Sequence, residues 1–572
     1  MLDSLNSIIE KTSSFVWGAP TIIMLIGTGI FFTLILKFFQ FSKIRLWLNN
    51  TLFAIFKKKD VRNTKDKTSI SQFQAVSTAL AATIGTGNIA GVATAISAGG
   101  PGAVFWMWIS AFFGMMTSYA ENVLGIYYRK KNSDGEWVGG PMYYINDGLQ
   151  EKKHMSKFAK PLSVVYALLL IGASFGIGNM TQANSISDSL RSSMGVSVYI
   201  TAAVLALVTL AVISGGVKRI GSVTEKLVPF MALFYIVATL WIFLSNSRFI
   251  PHVFGSIFSN AFSFKAVFGA AGGIAIKKCI SMGFRRGIFS NEAGLGASVT
   301  VGSCSNVKEP AEQGMWGIFQ VFVDTIIVCT MTAFVLLSTK VEAKPLDKAL
   351  ENVTSKTQYV CINSQADSDG KVMLTDIEAN PTIKKSTDGK SYKAVSNGKQ
   401  FNVQLTKSGD YSYTNIMALT GVANPNGEIT DIKLESVDGV SLITLAFSQQ
   451  FGSVAAILLA IAIVLFAFST VIGWSFYGTK AIEYLFGKKA VGIYRIIFVV
   501  IAFVGAIAKL NVVWGISDIF NGLMAIPNLI ALLALSGTVA KITKNYLARQ
   551  NGEKLEPILS ADEVIQFEQE SR

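Results

Sequence analysis

Charge is scarce in this chain. Of its 572 residues only 15% are Asp, Glu, Lys or Arg, against about 25% in ordinary soluble domains. Histidine is scarcer: His154 and His252 are the only two, too isolated to build a histidine-based catalytic centre. The cysteines, Cys279, Cys304, Cys329 and Cys361, lack the spacing of a metal site or a redox pair. No G-x-x-x-x-G-K-[ST] loop occurs, which disfavours primary active transport by this chain alone. A membrane-embedded enzyme would need a reactive cluster that these residues do not supply.

What is abundant is apolar. Hydrophobic residues make up 51% of the chain and the mean hydropathy is +0.46. Repeated apolar runs of about 20 residues then predict an all-α polytopic membrane protein. The net charge of +14 does not point to nucleic acid, because the basic residues cluster in short polar joints. Lys57-Lys58-Lys59, Arg129-Lys130-Lys131, Lys218-Arg219, Arg285-Arg286 and Lys488-Lys489 are such joints. That is the positive-inside pattern of a chain threaded through a bilayer.

Eleven spans are expected, at 16–40, 72–97, 103–127, 161–188, 197–214, 224–246, 262–284, 314–338, 443–472, 492–509 and 514–541. The first is too long for a cleaved signal, and an acidic, polar lead precedes it. With the basic joints in the cytoplasm, strict alternation puts the amino terminus outside and the carboxyl terminus inside a plasma (inner) membrane. Residues 340–441 break the pattern: they are polar and punctuated by Asp388-Gly389, Asn397-Gly398 and Asn426-Gly427. They read as a small β-rich extracytoplasmic insertion, with Cys361 a lone thiol.

The chain therefore divides at 1–70 (an extra span and its basic joint), 71–246 (five spans), 247–339, the insertion 340–441, 442–541, and a tail at 542–572. Without the first span, ten remain as two sets of five. The opening span of the first set contains Gly85-Thr86-Gly87-Asn88-Ile89-Ala90-Gly91. Glycine inside a helix costs about 1 kcal/mol relative to alanine. The opening span of the second set contains Phe268-Gly269-Ala270-Ala271-Gly272-Gly273-Ile274. An odd number of spans per set inverts the second set. Glycine-broken spans at matching places of inverted halves are the pattern of a secondary transporter with a midplane binding site. Close packing of ordinary helices is the plainer reading of each run alone.

Longer motifs carry a resemblance. Ala82-Thr83-Ile84-Gly85-Thr86-Gly87-Asn88-Ile89-Ala90-Gly91, Gly99-Gly100-Pro101-Gly102, Gly139-Gly140-Pro141-Met142-Tyr143-Tyr144 and Gly178-Asn179-Met180-Thr181-Gln182 occur in order. Ser290-Asn291-Glu292-Ala293-Gly294-Leu295-Gly296 and Asn521-Gly522-Leu523-Met524-Ala525-Ile526-Pro527-Asn528 follow. With these motifs the chain resembles the alanine/glycine:cation symporter family over its length, except for the insertion. The resemblance implies a leucine-transporter-type 5+5 inverted repeat with one extra amino-terminal helix. It also implies uptake of a small neutral amino acid coupled to sodium, with no organic cofactor.

Amide donors at a broken helix suit a carboxylate, so Thr86, Gly87 and Asn88 are the expected substrate contacts. Carbonyls from Ala270 to Gly273, Gly272 and Gly273 among them, and the side chain of Gln182 are the expected acceptors for the ammonium. Phe175 and Trp474 are candidate walls of a small pocket. The resemblance places a sodium between carbonyls near Ala82 and Gly85 and the hydroxyls of Ser469 and Thr470. Without it, such hydroxyls more often bond back to their own helix.

Carboxylates within spans are functional suspects because they are costly to bury. Asp324 could ligate a cation, relay a proton or bind a neighbouring helix. Glu121 suits a structural or gating pair. Glu292, with Arg285 and Arg286, is expected in a cytoplasmic segment that latches the inner gate. Proton-coupled transport and, further off, an ion channel are the competing readings.

Overall fold

The computed structural model describes the chain apart from residues 1–8, 10, 14, 67, 263–269, 340–357, 365–381, 386–391, 397–398, 406–415, 424–428, 438, 509 and 565–572. For 270–275, 510–516 and the strands between 358 and 436, only the backbone is described.

Helix dominates. In chain order the long helices are α1 (Ala19–Ile35), α2 (Gln72–Thr83), α3 (Val92–Gly99), α4 (Gly102–Tyr127), α5 (Ser156–Phe175), α6 (Thr181–Met194), α7 (Val198–Ile213) and α8 (Gly216–Ser245). After them come α9 (Ile250–Ala261), α10 (Ala270–Asn291), the single turn α11 (Val299–Gly302), α12 (Pro310–Val321) and α13 (Thr330–Ser338). The set ends with α14 (Gly439–Phe451), α15 (Ala455–Phe486), α16 (Ala490–Ile507), α17 (Leu510–Ala534) and α18 (Ser536–Gln550). Wide π turns join α5 to α6 at Gly176–Met180 and α12 to α13 at Phe322–Cys329.

Among the described residues, seven helices are long and apolar enough to cross a membrane, eight if the bent pair Gln72–Thr83 and Gly87–Gly99 is one span. Ala19–Ile35 and Val198–Ile213 are apolar but shorter. A multi-pass membrane protein follows directly. Helix α10, which carries Lys277, Lys278, Arg285 and Arg286, is not one of the seven. The chain turns outward what lipid would cover: Ile200, Leu207, Phe230, Leu233 and Trp241 are all more than half exposed.

The expected second break is corrected by this architecture. Helix α10 runs without interruption from Ala270 through Gly272 and Gly273 to Asn291, so their carbonyls belong to helical turns; Phe268 and Gly269 lie outside the described residues. The helix stops instead at Glu292–Ser298, where Glu292, Gly294 and Gly296 take φ of 58°, 93° and 74°. These left-handed values suit glycine and burden glutamate.

Within the polar insertion, six strands are described: β3 (Gln358–Ser364), β4 (Thr382–Lys385), β5 (Tyr392–Ser396), β6 (Lys399–Leu405), β7 (Ile416–Ala423) and β8 (Ile429–Ser436). They pair antiparallel in the closed order β3-β6-β5-β4-β8-β7. A separate two-residue hairpin, β1 (Lys130–Lys131) with β2 (Trp137–Val138), lies in the joint after α4.

Candidate functional site: two broken helices

Ser71 starts α2 with a reciprocal cap, its hydroxyl accepting the Gln74 amide at 3.1 Å while its own amide donates to Gln74 Oε1 at 3.2 Å. The helix holds to Thr83 and then gives way, as Ile84 swings to ψ 90°. The chain resumes at a 52° angle. In lipid the released backbone groups need partners, and side chains provide them. Asn88 Oδ1 accepts the Gly85 amide at 2.9 Å. Gln182 Oε1 accepts the Thr86 hydroxyl at 3.1 Å and faces its amide at 3.4 Å, while Gln182 Nε2 donates to the Ile177 carbonyl at 3.1 Å.

The carbonyl end of α2 meets α15. Ser469 Oγ donates to the Ala81 carbonyl at 3.2 Å, and Thr470 Oγ1 lies 3.1 Å from the same oxygen and 3.4 Å from that of Ile84. Both hydroxyls also reach the Phe466 carbonyl of their own helix. This gathers two carbonyls and two hydroxyls at the negative end of a helix dipole, a donor set suited to a hard cation. The carbonyls are those of Ala81 and Ile84, one residue before the expected Ala82 and Gly85. Gly85 instead leaves room for the Thr470 hydroxyl, since a Cβ there would stand 2.5 Å from Thr470 Oγ1. Ala82 packs where a Cβ on Gly473 would come within 2.7 Å of it.

On the opposite side Asp324, fully buried, binds both broken helices. Its Oδ1 accepts Asn88 Nδ2 at 2.8 Å, and its Oδ2 accepts the hydroxyls of Ser290 and Thr325, each at 2.8 Å. Thr332 donates to the Asn88 carbonyl at 2.7 Å and is itself 2.7 Å from the Tyr235 hydroxyl. Asn88 therefore uses both ends of its amide to hold the break open.

The second break is satisfied from three directions. Tyr166 donates to the Leu295 carbonyl at 2.8 Å. Asn528 Nδ2 donates to the Gly294 carbonyl at 2.9 Å and to Glu121 Oε1 at 2.6 Å, and the Tyr144 hydroxyl donates to Asn528 Oδ1. Glu121 also takes the backbone amides of Gly294 and Gly296. The structure thus gives Glu121 a definite place beneath the break.

Trp474 is buried, with its ring 5.3 Å from Tyr477 and packed so closely on Gly178 that a Cβ there would collide with it. Its indole reaches Glu292. Glu292 is therefore not in a joint with Arg285 and Arg286; it is buried at the break itself, and both arginines precede it on α10. Arg285 pairs with Asp518 and donates to Ser13 Oγ at 3.0 Å, beside Trp17. That pair lies at the end of the bundle where α1 begins. Phe175 faces Tyr494 and Phe498, with ring centroids 5.3 and 6.2 Å away. Gly87 lies against Phe289, so a Cβ there would be 3.3 Å from the ring.

The sequence reading missed Ala81, Ile84, Tyr144, Tyr166, Ser290, Thr325 and Asn528. Ile84, Tyr144, Ser290 and Asn528 stood within quoted motifs. Backbone carbonyls carry no residue-type signal, and Tyr144 and Tyr166 look like ordinary apolar-face aromatics.

The sodium:alanine symporter family model matches residues 2–372 and 412–560. Sodium/alanine symporter AgcS of Methanococcus maripaludis is 41% identical over 540 residues, covering 94% of this chain and 97% of the relative. Amino-acid carrier protein AlsT of Bacillus subtilis is 32% identical, covering 98% and 96%. The probable sodium/glutamine symporter GlnT of the same organism is 30% identical, covering 98% and 95%.

Proposed function

Because this chain belongs to the sodium:alanine symporter family, whose members are transporters, we propose that it imports a small neutral amino acid, alanine or glycine, together with sodium by alternating access. One observation carries the reading: the hydroxyls of Ser469 and Thr470 converge on the Ala81 and Ile84 carbonyls at the first break. Sodium there would bridge α2 to α15 and replace hydrogen bonds that the hydroxyls now make. Bridging the two helices fixes the backbone of Gly85 to Asn88. The same backbone is to receive substrate, so the ion and the amino acid stabilise one conformation.

In this reading the amides of Thr86 and Gly87 face the substrate carboxylate, with Asn88 and Gln182 holding them in place. The ammonium is received by carbonyls of the second break, replacing those expected from Ala270 to Gly273. Trp474 bounds the site and favours a short side chain. The two breaks, each opening a set of five helices, support a leucine-transporter-type inverted repeat with α1 added. The basic joints other than Arg285-Arg286, which lies where α1 begins, support an outside amino terminus, a cytoplasmic tail and an extracytoplasmic strand-rich insertion in the plasma membrane.

Proteoliposomes with sodium, potassium or proton gradients imposed separately test the proposal. Labelled alanine should accumulate on the sodium gradient. Accumulation that ignores sodium and follows protons would replace this reading with proton coupling.

A further inference from the structure

The joint after α4 holds a buried charge that the transport cycle above does not use. Arg129 is only 2% exposed. Its Nη1 donates to the Ser305 carbonyl at 2.8 Å, and its Nη2 donates to the Val307 carbonyl and to Glu563 Oε2, both at 2.7 Å. The Trp137 ring lies beneath the guanidinium, 4.0 Å from its centroid. Residues 303–307 are the chain that leaves the second break through α11. They are also bound to the start of the first broken helix: the Ile70 amide donates to the Cys304 carbonyl at 3.0 Å and the Ile70 carbonyl accepts the Asn306 amide at 2.9 Å. One guanidinium thus ties the same end of both broken helices to residue 563.

The tail reaches this point along a defined path. Arg549 of α18 pairs with Glu309, just ahead of α12. Asn545 Nδ2 then holds the Glu556 carbonyl at 3.0 Å, and Ile558 packs on the main core. Ser560 is buried and its hydroxyl accepts the Glu563 amide at 3.3 Å, while Asp562 Oδ2 accepts the Lys131 amide at 2.8 Å. A buried ion pair adds little net stability, yet removing one partner is strongly unfavourable. Such a contact favours all-docked or all-released states over intermediates.

We propose that residues 551–563 are a strap that holds the cytoplasmic mouth shut, and that it must release Arg129 before residues 299–307 move away from α2. The assignment of this end to the cytoplasm rests on the orientation proposed above.

Cys304 is a native reporter, buried in the clamp with its thiol 3.1 Å from the Trp137 carbonyl. Wild-type protein, Glu563→Gln and a chain ending at residue 559 are reconstituted without sodium or alanine and treated with N-ethylmaleimide. Peptide mass spectrometry then follows each cysteine. Both variants should alkylate Cys304 about ten- to hundredfold faster, the factor expected from losing a charge-assisted hydrogen bond, with Cys279 and Cys329 unchanged. An unchanged Cys304 rate, or a rise shared by Cys279, Cys304 and Cys329, overturns the strap. Wild-type uptake that ignores sodium would defeat the symport reading and leave this comparison standing.

Discussion

At the scale of single residues, the two polar clusters make different demands. Thr470 and Gly85 act on one another: the hydroxyl that faces the Ala81 and Ile84 carbonyls occupies the space a Gly85 side chain would need. Thr470→Ala removes an oxygen ligand and Gly85→Ala displaces it. Each should raise the sodium concentration for half-maximal alanine uptake by about tenfold, on the scale of a hydrogen bond to a charge. Trp474→Ala, which removes the indole packed on Gly178 and reaching Glu292, should raise the alanine KM more than the sodium requirement. Equal sodium dependence in Thr470→Ala and Trp474→Ala would remove the cation assignment. Asp324 is different because it accepts from three donors, Asn88, Ser290 and Thr325. Asp324→Ala strands those donors, at about 1–3 kcal/mol each, and should lower uptake by tenfold or more by that same measure. Asp324→Asn can keep Asn88 on its oxygen while the two hydroxyls rotate to accept its amide, so uptake should be largely retained. Equal loss in both variants would show that the charge is required and return Asp324 to the role of ion or proton carrier.

At the scale of elements, the first break was legible and the second was not. Gly85-Thr86-Gly87 combines two glycines with a threonine, next to an asparagine that can bind backbone, and the helix stops there. The run around Gly272 and Gly273 offers as many glycines but no polar side chain to receive a freed amide or carbonyl. The structure makes it helix. Further along α10, glycine serves close packing, since a Cβ on Gly283 would lie 2.5 Å from the Ala103 carbonyl of α4. The actual break, Glu292 to Ser298, looked like a polar joint because it contains a glutamate. Its partners are distant in sequence: Asn528 is 407 residues from Glu121 and 234 from Gly294. Short-range patterns cannot register pairings of that length. The sharpest test of the element is Asn528→Ala, which orphans the Gly294 carbonyl and the Tyr144 hydroxyl and removes a donor from Glu121. A loss of about 3 kcal/mol or more is expected from three stranded buried groups, seen as a lower Tm in detergent together with reduced uptake. Asn528→Ala at wild-type Tm and uptake would show that the break does not depend on this lattice.

At the scale of the whole molecule, the transport helices and the polar insertion are separable in their physics. The family match covers residues 2–372 and resumes at 412, so of the insertion only 373–411 falls outside the shared pattern, while both of its flanks lie within it. The strands of the insertion hydrogen-bond to one another in a closed ring, which leaves no strand edge seeking a partner on the helices. On either side of the insertion, α13 and α14 are helices whose side chains, Leu336 and Leu442 among them, are buried in the same core, so packing rather than the insertion fixes where the two ends sit. Loop-closure entropy changes only slowly with length, by about 0.6 kcal/mol for each doubling. A short polar linker in place of 340–437 should therefore leave the sodium concentration for half-maximal uptake within about twofold of wild type, because so small a cost acts on folding and not on the ion site. Coupling supplies the internal control. If sodium tightens alanine binding by some factor, alanine must tighten sodium by the same factor, and the linker variant should preserve both. Collapse of that common factor toward one, with the variant still folded and still binding alanine, would show that the insertion takes part in the closure that joins the two ligands.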